Sequence, residues 1–392
     1  MAASLTFFPV DNGDMTLITL DNGQNILIDI KIRGAADDSN DDTPDVAADL
    51  KERLPRDENG RLYVDAFLLS HPDQDHITGL ETHFHLGSPD NFPEDDEVDR
   101  ILIREMWSSP IVFRRTSAKH VLCQDAKAWA KEARRRVQLF REKGFSVSDG
   151  DRIVILGKDK DGKTDDIMDI VIEQDEVIER VNRGASGHFK GRLLAPMFVE
   201  EDDDLVDLLE KNNSSVIFQF SINGDGYSDK CRFLSGGDAG VDIWERLWER
   251  HKGKNEDWFT YHVLQSPHHC SWRSLSHDRW SDMGEAVKVS DDARNALGQP
   301  LDGGVVIASS KPIQKDDANP PHERAKREYV SIVDGDDERF FCVTEHWNAK
   351  KAPLEFKIYH AGVAQKLKLG AAATAAAAGV SSVSTSARAH GA

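Results

Sequence analysis

Hydrophobic positions along the chain come in short runs broken by turn residues. Near the start, "SLTFFPV", "MTLITL" and "NILIDI" are separated by "DNGD" and "DNGQ". This is the pattern of short strands joined by tight turns. Residues 34–48 form an acidic loop, "VAADLKERL" predicts a short helix, and "LYVDAFLLS" predicts a strand. Residues 81–99 are loop-like and acidic, and "RILIREMW" is a further strand. The clearest helix is "DAKAWAKEARRRVQLFREKG". Ala126, Trp129, Ala130, Ala133, Val137 and Phe140 recur there at helical spacing, with Gly144 as the stop. "DRIVILG" is another strand, and residues 158–190 are polar and weakly patterned.

From residue 192 the strand pattern returns in "RLLAPMFV", "SSVIFQFSI" and "CRFLSGGDAG". A helix at "VDIWERLWERHK" follows, then strands at "YHVLQ" and "GGVVIASS" and a helix at "HERAKREYVSI". "RFFCVTEHW" and "LEFKIYH" read as the last strands. Strands clustered towards both ends, with helices between, predict an α/β or α+β layered domain. Residues 370–392 are low in complexity and read as a disordered tail. There is no internal repeat of fixed period.

Composition narrows the function classes. Hydrophobic residues make up 39% of 392, and 28 glycines bring the apolar share into the globular range. The formal net charge is −20. Such a chain is not built for broad attraction to nucleic acid or anionic membrane. A phosphate substrate stays open, because a bound metal would dominate the local field. The basic stripe in "KEARRRVQLFREK" reads as a solvated helix face. Cys123, Cys231, Cys270 and Cys342 are far apart and form no CxxC pair, as expected of reduced thiols in a cytoplasmic protein. The start lacks a basic and apolar leader, and no apolar run reaches the ~18 residues of a membrane span.

Three stretches carry chemistry. "SHPDQDH" packs His71, Asp73, Asp75 and His76 behind a strand. Imidazole nitrogens and carboxylate oxygens are ligands of zinc, manganese or iron, and a cation would neutralise such a group. "FLSGGDAG" ends a strand in two glycines and Asp238, and "VLQSPHHCSW" ends one in His268 and His269. Each has a plainer reading alone: a solvated loop, a turn, a surface pair. Their order is the stronger signal, since each follows a strand, where loops gather at one edge of a sheet.

With these residues in place, the chain resembles the metallo-β-lactamase-fold proteins. Their general HxHxDH motif appears here as HxDxDH, with Asp73 in the second histidine position. That variant is similar to the hydrolase domain of the DNA-uptake competence protein ComEC and its soluble relatives. "FFPVDNGDMTLITLDNGQNILIDI" resembles their opening VGQGD turn and a strand ending in Ile-Asp. "NNSSVIFQFSI" resembles their Asn-x-Ser strand, and "PHHCS" their PHHGS, with Cys270 in the glycine's place. "VVIASSKPIQKDDANPPHERAKREYV" resembles their late strand, loop and helix. The family's further histidine before the bridging aspartate is absent; Asn212 and Asn213 occupy that stretch, and His188 lies far upstream. Asn319-Pro320-Pro321-His322 stands where a His-Pro pair is usual.

The resemblance implies a four-layer αββα sandwich over residues 1–369, with an inserted helical segment and a variable stretch at 81–190. It implies two adjacent divalent cations, both zinc by preference, with manganese the alternative metal. His71 and Asp73 would hold one; Asp75, His76 and His269 the other; Asp238 would bridge them. A metal-bound hydroxide would attack the substrate. Asp75 would orient it and take its proton, with His268 behind the ligands as the other catalytic candidate. The substrate would be a phosphodiester, the activity nuclease-like, with a protein partner delivering substrate to so acidic a chain. Two other readings stand beside this: a hydrolase of a lactone, thioester or phosphocholine ester, and a degenerate sensor or assembly module. Arg273 is a surface residue or a phosphate contact, while His83 and His85 lie near the first motif.

Overall fold

A computed structural model describes residues 2–38, 40–93, 97–110, 122–159, 162–197, 214–316 and 318–365. The chain begins as the turn residues predict. Strand β1 (Ala3–Phe7) turns through "DNGD" into β2 (Thr16–Thr19), and β2 turns into β3 (Asn25–Ile28). A short β4 (Ile30–Lys31) and helix α1 (Val46–Arg53) lead to β5 (Tyr63–Leu69), which delivers the first motif. One helical turn, α2 (Gln74–Ile77), carries Asp75 and His76. Next come β6 (Phe84–His85), β7 (Ile101–Ser108), α3 (Gln124–Lys143), β8 (Arg152–Leu156) and β9 (Val171–Ile172).

The second half supplies β10 (Val177–Ile178), β11 (Phe189–Ala195), β12 (Ile217–Gly224) and β13 (Tyr227–Ser235). Then follow α4 (Val241–His251), β14 (Tyr261–Gln265), α5 (Asp291–Leu297), β15 (Pro300–Ala308), α6 (Glu323–Ile332) and β16 (Phe340–Cys342). Helix α7 (Val343–Lys350) precedes β17 (Leu354–Tyr359) and β18 (Gly362–Gln365).

The strands make two sheets. One runs β18-β17-β1-β2-β3-β5-β7-β8-β9, with β6 beside β7; the other runs from β10 to β16 in chain order. Side chains alternate across them and define the layers. Ala66 and Leu68 of β5 point between the sheets, where Phe7, Trp107, Phe218, Phe220 and Phe233 meet them. Phe7 and Phe233 join the two sheets edge to face, with ring centroids 5.8 Å apart. Phe67 and Leu69 of β5 point the other way, onto Leu50 of α1 and Trp129 and Ala133 of α3. On the far side, Leu234, Leu264 and Val306 pack against Trp244 and Leu247 of α4, Leu297 of α5 and Tyr329 of α6. The result is a four-layer αββα sandwich, the architecture implied by the resemblance. Segment 81–190 is woven into it, because β7, β8 and β9 extend the first sheet in parallel and α3 covers its outer face.

Three expectations change. The strand at "RLLAPMFV" starts earlier, at Phe189, and stops at Ala195, before the proline that cannot continue the ladder. "RFFCVTEHW" is strand only over Phe340–Cys342; Thr344, Glu345 and His346 are polar in succession and lack the alternation of a half-buried strand, and the helix there buries Val343 and leaves Glu345 exposed. The basic stripe of α3 is not wholly solvated, since Arg136 is 0% exposed and paired with Glu132 at 2.8 Å. The predicted tail at 370–392 and the pair Asn212–Asn213 lie outside the described residues. The four cysteines are free thiols. No helix among the described residues is long and apolar enough to cross a membrane.

Candidate metal centre

Parallel strands bring the motifs together. Strands β3 and β5 of the first sheet are parallel, as are β13 and β14 of the second. All four release their C-terminal residues at one edge, where the β1–β2 turn also lies. Beneath this edge Thr16 of β2 donates its hydroxyl to Gln265 Oε1 of β14 at 3.2 Å, tying sheet to sheet.

Each arm is held by its own backbone chemistry. Asp29, just past β3, accepts from the Ser70 amide at 2.7 Å and the Ser70 hydroxyl at 2.5 Å. It thereby fixes the end of β5. The same carboxylate lies 2.8 Å from His76 Nδ1 and turns the other ring nitrogen, Nε2, inward. In the second sheet, Gly237 has φ +47°, and a β-carbon there would come within 2.8 Å of Ser215 Cβ. Glycine lets Asp238 approach, and the Asp238 amide donates to Ser215 Oγ at 3.1 Å. After β14, His268, His269 and Cys270 have φ of 50°, 53° and 65°. Three successive non-glycine residues in the left-handed region cost about 1–2 kcal/mol each. The turn is anchored by the His268 amide donating to Gly237 O at 2.8 Å.

The side chains converge on Asp238. Its Oδ1 lies 3.1 Å from His76 Nε2 and 3.5 Å from His269 Nε2. Its Oδ2 lies 3.5 Å from His71 Nε2 and 3.6 Å from His268 Nε2. One carboxylate thus faces two histidine pairs with its two oxygens. Asp75 Oδ2 is 3.3 Å from His269 Nε2, and Asp73 Oδ2 is 4.0 Å from His71 Nε2. All six candidate ligands are gathered, and His268 stands as near the central carboxylate as His71 does.

Two further aspartates belong to the site. Asp14, in the first "DNG" turn, is buried with Oδ1 3.4 Å from His269 Nδ1. Asp29 supports His76 as described. In the sequence they stand in the "DNGD" turn and the strand end "LIDI", which signal shape rather than chemistry. Other candidates lie elsewhere. His188 pairs with Asp21 at 2.7 Å, and His85 reaches Ser88 O at 2.9 Å. His83 does not reach the cluster; its surroundings include Lys51 and Arg100. His322 caps α6 by accepting from the Arg324 amide at 3.1 Å, its ring beside Trp280. Arg273 is exposed.

The donor set fits divalent cations. His71 Nε2, His76 Nε2, both ring nitrogens of His269, Asp14 Oδ1 and Asp238 Oδ1 are buried without a hydrogen-bond partner among the described residues. Buried polar atoms left so would each cost about 1–3 kcal/mol. Asp14, His76, Asp238 and His269 offer donor atoms within 4.8 Å of one another, as do His71, Asp75 and His76. The electrostatics agree. Burial pushes Asp238 up, but His269, His76 and His71 outweigh it and hold the carboxyl well below its usual range. Burial pushes His269 down, but Asp238 and Asp14 raise it to about 10. Cationic charge is wanted at this point, and protons or metal ions can supply it. Asp73, Asp75 and His268 keep 29%, 36% and 20% of their side chains exposed, so they form the mouth.

No known family's profile matches the chain, and no curated protein matches it in sequence. Among solved structures, it is similar to a diphosphatase from the PhnP family at 13% identity and a TM-score of 0.36, over 92% of this chain and 99% of that one.

Proposed function

We propose that this chain is a divalent-metal-dependent hydrolase of phosphodiesters. The observation that carries the reading is the set of buried, unpartnered donor atoms on His71, His76, His269, Asp14 and Asp238, opening to a mouth lined by carboxylates. In the proposed arrangement His71 and Asp73 would hold one cation, and Asp75, His76 and His269 would hold the other. Asp238, which faces both sets, would be shared between them, and Asp14 backs His269. Two divalent cations, when bound, make water acidic enough to be a nucleophile at neutral pH and neutralise charge growing on a phosphoryl oxygen.

The chain's own residues do the rest. Asp75 orients the attacking water at the mouth and accepts its proton. His268 faces the mouth with a ring whose pKa burial lowers, which favours the neutral imidazole, a form that can accept a proton released at the mouth. Asp29 keeps Nδ1 of His76 occupied, leaving Nε2 for the cation. The HxDxDH and PHHCS segments favour phosphodiesters over other esters through their likeness to ComEC-type hydrolases.

The test compares metal content and turnover of the wild type with the Asp75→Ala, His76→Ala double variant. Substrates are bis-p-nitrophenyl phosphate and short DNA and RNA. The reading expects one to two equivalents of zinc or manganese and cleavage that the double variant loses. Metal without phosphodiester cleavage would move the substrate to another ester or amide. Less than about 0.2 equivalents, even after metal is added, would leave a non-catalytic module as the better account.

A further inference from the structure

Beside the mouth lies a cation with no anion of its own. Lys31, in β4, is about half buried, and its ammonium donates to the backbone oxygen of Asn12. No carboxylate stands within ion-pair distance of it among the described residues, in a chain of net charge −20. Burial lowers its pKa; the charge of Asp75 counteracts this most, Asp11 less, while Arg33 and Lys311 add to the lowering.

The placement is enforced by the fold. β4 bridges to the end of the first motif through Ile30–Ile77 and Lys31–Thr78. Gly13 closes the gap: a β-carbon there would fall 2.4 Å from Lys31 Cδ and 2.7 Å from the Asp75 carbonyl oxygen. Asn12 joins a second lysine to the first, since its side chain accepts from the Lys311 amide at 3.1 Å while its carbonyl accepts from Lys31. Lys311 is exposed. Arg33 is spoken for by Asp11, so the uncommitted positive charge belongs to the two lysines. A desolvated ammonium without a counter-ion is costly, and an anion from outside offsets that cost.

We propose that Lys31 and Lys311 seat a second anionic group of the substrate, a phosphate adjacent to the scissile phosphodiester. This rests on the hydrolase reading above and narrows its substrate to phosphodiesters bearing a neighbouring phosphate. The lysines are specificity residues; bond breaking stays with the donor cluster.

The experiment uses the full chain loaded with zinc or manganese and a thymidine dinucleotide carrying a terminal phosphate at the 5′ end, the 3′ end, or neither. At least one phosphorylated form is expected to show a KM about tenfold below that of the bare dinucleotide, the size of one charge-assisted contact. Lys31→Met and Lys311→Ala each shrink that advantage to about twofold or less, and Lys31→Arg restores part of it. Lys311→Ala guards against misfolding, because the side chain is exposed. Equal KM values for all three substrates in the wild type, or an advantage that survives both substitutions, overturns the proposal. Binding of the fluorescently labelled phosphorylated dinucleotide, read by anisotropy, separates this from the parent reading. Binding that weakens in both variants without any turnover would uphold the seat and sink the hydrolase. Unchanged binding would sink the seat whether or not cleavage occurs.

Discussion

Among the described residues, two clusters of buried charged side chains are built on opposite principles. On α3, Arg136 donates to Glu132 at 2.8 Å and to the Arg152 carbonyl at 2.9 Å. Arg135 donates to Glu132 at 2.6 Å and to Asp151 at 2.7 Å, and the Gly87 amide completes Glu132 at 3.0 Å. Every group there points at a partner within the chain. At the sheet edge, the inward nitrogens of His71, His76 and His269 meet only carboxylate oxygens at 3.1–3.5 Å without a hydrogen bond. The first cluster is closed and needs nothing from outside. The second is a gathering of donors that a cation would balance. Charge and burial are alike in both, so satisfaction of each atom separates a structural cluster from a candidate site.

The sharpest way to break this contrast is at its two centres. Asp238→Ala should remove the bridging oxygens, lowering bound metal below one equivalent. Phosphodiester turnover should fall by about 10³-fold, or ~4 kcal/mol of barrier. Metal analysis beside steady-state kinetics checks it, and retained metal with full turnover would refute the bridge. Glu132→Ala should act in the opposite currency. It strands a buried guanidinium and should cost about 3–5 kcal/mol of stability in urea unfolding, with metal stoichiometry unchanged. Loss of metal in that variant would mean the clusters are not independent.

Smaller effects refine the picture. Asp29→Asn should weaken metal affinity by about 10–100-fold while leaving the ligands in place, because it loosens His76 rather than removing it. A chelator competition titration reads this directly. Glu105 is another kind of buried carboxylate, accepting from the Trp107 indole at 2.7 Å and the Asn182 amide at 3.1 Å, with the charges of Arg152 and Arg183 also favouring it. Burial raises its pKa above 4.5 despite those donors. The folded protein therefore binds this proton more tightly than the unfolded chain. Its contribution is most favourable below pH 4.5 and declines as pH rises through the folded-state value. Glu105→Gln keeps an acceptor for both donors, and should stabilise the protein by about 1 kcal/mol at pH 7 while flattening that decline. Unfolding at a series of pH values checks the sign.

Much of this was legible in the residues. The helix from Gln124 to Lys143 follows from the spacing of Trp129, Ala133 and Val137. His71, Asp73, Asp75 and His76 were visible because one short stretch holds them all. Asp14 and Asp29 were not, because each is a lone aspartate at a turn or strand end, where aspartate is ordinary. Only the pairing of β3 with β5 and of β1 with β2 brings them to the histidines. The buried state of Arg136 was hidden for a similar reason: its partners include the carbonyl of Arg152, which no periodicity on α3 announces. The helix after Cys342 is hard to read because "RFFC" is an apolar run like a strand, and the helix that follows buries only Val343 and so shows no apolar stripe.

The gathering of donors at one sheet edge also has a kinetic meaning. Asp14 and His269 are 255 positions apart in the chain, and both sheets must close before the two can meet. Contacts of such separation form late, after most loop entropy has been lost. A cation would therefore find its full set of ligands only in molecules that have completed both halves. Uptake of metal during refolding should lag behind the recovery of helical signal and coincide with the last folding phase. The site is thus also a reporter on the assembly of the sandwich that carries it.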